Sequence, residues 1–167
     1  MSDEREPRGI PGVLSAHIVG LAHVGFVVSD LAGQLAVYRQ RYGLNDEAIR
    51  ISPPFSEPAN IARFAFVRIA DGVELELIEP ISAAMKSQLN TCAEGAISAP
   101  GGINHIAYRV RNIDSVFAVL KQQGIRAGHV TPDGVVDTGR SKILYLHPDD
   151  LGGALIELVD PSDGGDD

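Results

Sequence analysis

Alternating apolar and polar positions predict a β-strand at residues 21–28, around His23, and a second strand at residues 103–110, around His105. The two segments share their hydrophobic pattern, and the two histidines lie 82 residues apart. Later in each half, Glu76 and Glu157 lie in equivalent apolar strands at a separation of 81 residues. Two nearly equal offsets that place His on His and Glu on Glu indicate an internal duplication.

A helix is predicted directly after the first strand of each half. Asp30 and Asn112 stand where a helix N-cap belongs, and apolar residues then recur at helical spacing. Gly43 and Gly124 stand at the C′ position, where a left-handed backbone ends many helices. The same start and stop signals therefore predict one helix in each half.

Two further strands are predicted after each helix. Residues 61–69 and 73–79 are joined by Asp71-Gly72, a pair typical of a type I′ hairpin turn. Residues 142–147 and 154–159 are the corresponding strands of the second half. With one more short strand in each half, the sequence predicts an α+β fold of two tandem βαβββ modules.

The duplication also predicts how the chain is divided. Each module is too small to bury its own apolar face well, so we expect the two modules to share a core. The connector should begin as a helix at residues 82–89 and end in a Pro-Gly loop. The expected parts are a flexible N-terminal tail 1–17, module 1 at 18–80, a connector 81–102, module 2 at 103–161 and a flexible C-terminal tail 162–167.

Charge and composition exclude several classes of function. The chain has 167 residues, a net charge of −8 and a pI near 5.0, which argues against a surface that binds nucleic acid. No apolar run approaches the roughly 20 residues of a membrane helix, and the N-terminus lacks a secretory signal pattern, so we expect a cytoplasmic protein. Cys92 is the single cysteine. Any metal site must therefore use His and carboxylate ligands.

Strand periodicity predicts that four polar side chains meet. Because side chains alternate across a strand, His23 and His105 should point away from the helices, as should Glu76 and Glu157. An ionised Glu within an apolar strand is costly to bury without a partner. Two His and two Glu together suit one divalent cation, Co, Zn, Ni, Mn or Fe, and the ligand types do not decide among them. The remaining histidines, His17, His129 and His147, have no repeat-related partner, so we expect surface or structural roles for them.

These residues resemble the vicinal oxygen chelate superfamily, also called the glyoxalase/bleomycin resistance/dioxygenase superfamily. Within it, the methylmalonyl-CoA epimerase family is the most similar. The resemblance covers about residues 18–161. It is carried by the strand around His23 and by the segments Glu76-Leu77-Ile78-Glu79-Pro80, Asn104-His105-Ile106-Ala107, Leu146-His147-Pro148 and Gly152-Gly153-Ala154-Leu155-Ile156-Glu157-Leu158.

The resemblance implies a U-shaped cleft with a divalent metal ion on His23, Glu76, His105 and Glu157. It implies an isomerase that racemises an acyl-CoA at its α-carbon through a metal-stabilised enolate. Glu76 and Glu157 would be the catalytic acid–base groups. Members of the superfamily vary between Glu and Gln at the position of Glu76.

One strand departs from the epimerase pattern, because residues 61–67 carry no acid where some epimerases have an additional carboxylate. If Asp71-Gly72 forms a two-residue turn, Val67 pairs with Glu76, and Arg63 lies on the face of Glu76. There Arg63 could bind a substrate carboxylate or phosphate. We also expect the loop with Gly139, Arg140 and Lys142 to border the pocket and to meet a CoA phosphate.

Three other functions remain open at this point. A glyoxalase I-like lyase or isomerase would use the same four ligands. An extradiol-type Fe(II) dioxygenase would need only His23, His105 and Glu157, and Glu76 counts against it. A small-molecule-binding resistance protein would bind without reaction. For all of these we expect a homodimer, because small duplicated modules often pair further.

Overall fold

The computed structural model describes residues 14–52, 61–91 and 102–161, whose strands form one eight-stranded sheet. The elements of the first half are β1 (Ile18–Val27), α1 (Leu31–Tyr42), β2 (Ile49–Ser52), β3 (Ala62–Ala70) and β4 (Val73–Pro80). The helix α2 (Ala83–Thr91) follows. The second half contains β5 (Ile103–Val110), α3 (Ile113–Gln122), β6 (Val136–Asp137), β7 (Ser141–Leu146) and β8 (Ile156–Pro161). Short 3₁₀ helices lie at Asp46–Ala48 and Pro148–Leu151.

The sheet is built from two βαβββ repeats placed side by side. Its strand order is β2-β3-β4-β1-β5-β8-β7-β6, so the two repeats meet at the antiparallel pair β1–β5. In each repeat the first strand is parallel to the last, as β1 is to β4 and β5 is to β8. The predicted fold class is confirmed, because both halves have the same elements in the same order.

The helix boundaries follow from the residues that predicted them. Asp30 Oδ1 accepts a hydrogen bond of 3.0 Å from a backbone N–H in the first turn of α1, and Asn112 Oδ1 accepts one of 3.3 Å in α3. Gly43 and Gly124 follow the two helices with φ of 69° and 80°. Since glycine adopts a left-handed backbone without steric cost, both helices end where the sequence predicted.

Helices α1 and α3 cover one face of the sheet, which we call the outer face, and the opposite face is the inner face. The outer face is apolar, and fully buried side chains such as Leu77 and Leu158 contribute about 2 kcal/mol each when removed from water. In module 1 the outer core is Phe26, Val28, Leu31, Leu35, Tyr38, Ala65, Val67, Leu75 and Leu77. In module 2 a separate outer core includes Ile106, Tyr108, Val110, Ile113, Val116, Leu120, Leu144, Leu146, Ile156 and Leu158, so the expectation of one shared core is wrong. The neighbours of these residues along each strand therefore face inward.

The predicted pairing of β3 with β4 is wrong by one residue. Gly72 has a φ of 70°, but Asp71 has no positive φ, so the turn is not of type I′. A register shift between Arg68 and Ala70 places Phe66, rather than Val67, opposite Glu76. Because side chains alternate across a strand, a shift of one residue in the pairing places the residues of β3 before Arg68 on the opposite face from the one predicted.

Arg63 is therefore not on the face of Glu76, and that expectation is wrong. Arg63 pairs with Glu79 across the two strands, and its Nη1 lies 3.2 Å from Glu79 Oε2. Glu79 is two residues from Leu77, which belongs to the outer core. The arginine thus lies on the outer face, with 68% of its side chain exposed.

The start of the connector is helical, as predicted, since α2 covers Ala83–Thr91. Residues 14–17 of the expected N-terminal tail 1–17 form a turn. Four predicted features lie outside the described residues, namely the rest of that tail at 1–13, the C-terminal tail 162–167, the Pro-Gly loop at 99–101 and Cys92. Across the described ranges, none of the helices has the length and apolar character that crossing a membrane requires.

Candidate metal centre

The four central strands of the sheet each contribute one polar side chain to the inner face. His23 lies on β1 and His105 on the neighbouring β5. Glu76 pairs with the residue two positions after His23, and Glu157 pairs with the residue two positions after His105. Positions two apart share a face, so both Glu side chains point to the same side as the histidines. The duplication therefore brings all four side chains to the centre of the inner face.

The four ligand atoms lie close together. His23 Nε2 is 3.0 Å from Glu157 Oε2 and 3.5 Å from Glu76 Oε2. His105 Nε2 is 3.2 Å from Glu76 Oε2 and 3.3 Å from Glu157 Oε2. The two Nε2 atoms are 3.1 Å apart, and all four atoms lie within 4.8 Å of one another. Each residue is at most 7% exposed, so the cluster is shielded from water.

The arrangement fits a bound divalent cation better than it fits a hydrogen-bonded cluster. Glu157 Oε2 is buried, yet among the described residues it has no hydrogen-bond partner of acceptable geometry. A buried polar atom without a partner is costly. Two imidazole nitrogens and two carboxylate oxygens that face one point are a typical donor set for Zn, Fe, Ni, Co or Mn. These four residues could hold one metal ion.

The electrostatics of the cluster couple the histidines to the carboxylates. Burial alone would lower the pKa of each histidine, but Glu157 and Glu76 outweigh it and raise the pKa of His23 to about 10 and that of His105 to about 9. Burial alone would raise the pKa of Glu76, but His105 and His23 lower it to about 2. The same histidines lower the pKa of Glu157. Without a metal, the two carboxylates therefore favour protonation of the imidazoles at neutral pH.

A second polar group fixes the ring of His105. Its Nδ1 lies 2.9 Å from Asn104 Oδ1, which can only accept a hydrogen bond. Nδ1 therefore carries a proton, and Nε2 is the nitrogen directed to the centre of the cluster. Such outer contacts orient metal ligands in many proteins.

Gly25 makes room for the same ring. It pairs with His105 across the β1–β5 ladder, and a Cβ at Gly25 would lie 2.1 Å from His105 Cε1. The repeat-related residue in module 2 is Ala107, which pairs with His23 and does carry a Cβ. A glycine is therefore required on one side of the pseudo-twofold axis and not on the other.

Aromatic rings flank the histidines on the inner face, and sequence reasoning missed them. Phe66 pairs with Glu76, and its ring meets that of His23 edge-on at a centroid distance of 5.4 Å. Tyr145 pairs with Glu157 and meets His105 in the same way at 5.4 Å. Both aromatic residues alternate with buried apolar residues along their strands, and this pattern could have placed them on the inner face. It predicts their contact with the histidines only when the register with the neighbouring strand is known.

The basic loop of module 2 is placed only partly as expected. Arg140 Nη1 donates to Ser52 Oγ at 3.2 Å, so this arginine reaches strand β2 of the other module. The backbone N–H of Gly139 is held within its own loop. Lys142 Nζ lies 2.6 Å from Asp114 Oδ2 at the start of α3. Lys142 is therefore on the outer face, and the expectation that it borders the pocket is wrong.

Comparisons with known proteins agree with this fold. The Glyoxalase/Bleomycin resistance protein/Dioxygenase superfamily matches residues 22–145, and the chain belongs to this superfamily. An ethylmalonyl-CoA/methylmalonyl-CoA epimerase of Cereibacter sphaeroides is 30% identical over 83% of this chain and 95% of the relative. These similarities make the chain an enzyme of the epimerase type, which is an isomerase.

Solved structures lead to the same group. The crystal structure of methylmalonyl-CoA epimerase from Mycobacterium tuberculosis has a TM-score of 0.67 and 26% identity, covering 87% of this chain and 89% of that one. A variant of the Streptomyces coelicolor methylmalonyl-CoA epimerase in complex with 2-nitronate-propionyl-CoA has a TM-score of 0.66 and 26% identity, covering 87% and 99%.

Proposed function

We propose that this protein epimerises an acyl-CoA of the methylmalonyl-CoA type at its α-carbon. The observation that carries the proposal is the pair Glu76 and Glu157, which the duplication places with two histidines at the centre of the inner face. The named relatives support the substrate class, since all three are called methylmalonyl-CoA epimerases. The name of one of them also includes ethylmalonyl-CoA.

His23, Glu76, His105 and Glu157 would hold one divalent ion. When bound, this ion would supply Lewis-acid stabilisation of the negative charge that develops on the substrate oxygens as the α-proton leaves. The burial of the four residues keeps water away from the reacting carbon. The flanking rings of Phe66 and Tyr145 form apolar walls beside it.

Proton transfer is assigned to Glu76 and Glu157. One carboxylate takes the α-proton from one face of the substrate, leaving the electron pair as an enolate. The other glutamate enters the step protonated, returns its proton to the opposite face of the same carbon and becomes a carboxylate, so the configuration inverts. Strand β3 (Ala62–Ala70) contains no acidic residue that could take this role. The two repeat-related carboxylates thus supply the two faces that an epimerase needs.

Glu76 also disfavours an extradiol-type Fe(II) dioxygenase. That chemistry needs two His and one carboxylate, with other positions open for substrate and oxygen. Here Glu76 Oε2 lies 3.2 Å from His105 Nε2, within the cluster. A fourth protein ligand at this place leaves less room for catechol and oxygen.

The test is exchange of the α-proton of methylmalonyl-CoA in deuterium oxide, with protein reconstituted with each candidate divalent metal. We expect exchange in the wild type and a loss of about 10²–10⁴-fold in Glu76→Gln or Glu157→Gln. Metal content is measured in parallel, so that lost proton transfer is separated from lost metal. No exchange by metal-loaded wild type would contradict the proposal.

The matched control is Glu79→Gln. Glu79 lies on the same strand as Glu76 but on the outer face, paired with Arg63. We expect exchange at the wild-type rate in this variant. If it lost activity as strongly as Glu76→Gln, the position on the inner face would not be what matters.

A further inference from the structure

Two arginines stand together on the inner side of strand β2, and neither belongs to the metal centre. Arg50 pairs with Phe66 across β2 and β3, so it shares the inner face with the ring that flanks His23. The guanidinium of Arg50 lies over that ring, with Cζ 4.3 Å from the centroid. Such stacking limits the orientations of the guanidinium while leaving its N–H groups available.

Arg140 approaches the same strand from the other module. It belongs to the loop between β6 and β7, at the opposite end of the sheet from β2. Its Nη1 donates to the hydroxyl of Ser52 at 3.2 Å, and Ser52 is only 4% exposed. Because Arg50 and Ser52 are two residues apart on one strand, they share the inner face. Two guanidinium groups, one from each edge of the sheet, therefore lie on the inner side of β2.

Carboxylates neutralise the positive charges of Arg50 and Arg140 only weakly. Glu74 Oε2 lies 3.9 Å from Arg50 Nη2, beyond hydrogen-bond distance. Within the described ranges, no carboxylate forms an ion pair with Arg140. Arg63 and Arg126, in contrast, are held by carboxylates at 3.2 Å and 2.7 Å. In a chain of net charge −8, two cations on the wall of a cleft attract an anion.

We propose that Arg50 and Arg140 bind an oxyanion of the thioester ligand, either a phosphate of CoA or a free carboxylate of the acyl group. This inference rests on the proposed function, which places an acyl-CoA in the cleft. Guanidinium groups suit both oxyanions, because their fork of N–H donors matches two oxygens at once. Arg50 adds a contact that the sequence did not predict.

The test measures the dissociation constant of free CoA by calorimetry, for wild type, Arg50→Ala and Arg140→Ala. We expect each substitution to weaken binding by about tenfold, the effect of losing a charged hydrogen bond. Arg63→Ala is the matched control, because Arg63 is on the outer face of the adjacent strand. It should bind as the wild type does. Arg50 is more than half exposed, so its loss should not affect folding.

Methylmalonyl-pantetheine, which has the carboxylate but no phosphate, identifies the oxyanion. If the substitutions leave its binding unchanged while weakening that of CoA, the group is a phosphate. If they weaken binding of methylmalonyl-pantetheine but not of CoA, the group is the carboxylate. Wild-type affinity of both variants for both ligands would overturn the inference. Proton exchange in the wild type would then still support the proposed function, so the two failures are distinguishable.

Discussion

The two modules have the same elements, and each contributes one His and one Glu to the candidate metal centre, but the surroundings of these residues differ. In module 2, His105 is 1% exposed and is held by Asn104 on one side and by the Tyr145 ring on another. In module 1, His23 is 7% exposed and its ring is flanked by Phe66. The His105 ring lies so close to Gly25 that a Cβ there would clash with it. Ala107, the repeat-related residue opposite His23, has a Cβ.

The edges of the modules differ as well. Strand β2 presents Arg50 and Ser52 on the inner face, whereas the corresponding strand β6 has only two residues, Val136 and Asp137. Duplication thus supplies a nearly symmetric set of ligands, while the later differences make the two sides of the cleft unequal. An epimerase needs two proton-transfer groups, yet it must hold an asymmetric substrate in one orientation. On the proposed function, the symmetric part would serve proton transfer and the asymmetric part would serve the binding of the acyl-CoA.

Replacing the histidine of either module should have the largest effect on metal binding. His23→Ala or His105→Ala leaves three ligands and a buried carboxylate without its partner, so we expect stoichiometric metal binding to be lost in both. Metal content after dialysis, measured by mass spectrometry, checks this. His129→Ala, which alters an exposed histidine, is the control. Full metal content in His105→Ala would contradict the assignment of the centre.

Gly25→Ala tests the difference between Gly25 and Ala107, the two repeat-related residues that lie opposite the histidines. The added Cβ would lie 2.1 Å from His105 Cε1, so the ring or the strand must move. We expect a loss of about 1–3 kcal/mol in the free energy of unfolding, together with weaker metal binding. Denaturant unfolding measures the first and a competition titration with a chelator measures the second.

Two comparisons sharpen that result. Gly20→Ala, on the same strand, has nothing within 4 Å of the new Cβ and should leave metal binding unchanged. Ala107→Gly, at the repeat-related position, should cost about 1–2 kcal/mol through backbone entropy and the loss of a buried methyl group, but it should leave metal binding unchanged. Equal losses of metal binding in Gly25→Ala and Ala107→Gly would show that the two sides are packed alike, against the structure.

Asn104→Ala should affect module 2 alone. The side chain of Asn104 fixes Nδ1 of His105, and loss of such an outer contact weakens metal affinity by about 10–100-fold in other proteins. We expect a change of this size in chelator competition, with one metal ion still bound at saturation. Unchanged affinity would mean that packing against Tyr145 and Gly25 orients the His105 ring without the hydrogen bond to Asn104.

The smallest effect concerns protons. The pKa values of His23 and His105 are raised to about 10 and about 9, so both are protonated at pH 7 when no metal is present. Metal binding requires neutral imidazole and should therefore release protons at pH 7. Calorimetry in two buffers of different ionisation enthalpy measures the number of protons released. Release of no protons would contradict the raised histidine pKa values.

The same shifts set the sign of a stability change in the metal-free protein. A histidine with a raised pKa stabilises the fold fully below its unfolded pKa of about 6.5, and this contribution is lost as pH rises through about 9 and 10. The Tm of metal-free protein should therefore fall between pH 7 and pH 10. In the metal-loaded protein the histidines are already neutral, so its Tm should change less over this range.

The sequence by itself determined the repeats, the helix boundaries and the four candidate ligands. Duplication placed His on His and Glu on Glu, and strand alternation gave the face on which His23, Glu76, His105 and Glu157 lie. These features depend on local rules, namely side-chain alternation and helix capping, and the structure agrees with both. The aromatic partners Phe66 and Tyr145 were visible in the sequence only as members of apolar strands.

Only the tertiary structure decided the register of β3 and the contacts between the modules. A single irregular pair between Arg68 and Ala70 moved Arg63 to the outer face and put Phe66 opposite Glu76. One residue of shift reverses the direction of a side chain, and nothing local in the sequence fixes that shift. The contact of Arg140 with Ser52 joins residues 88 positions apart, so it exists only because the sheet curls and brings its two edges together.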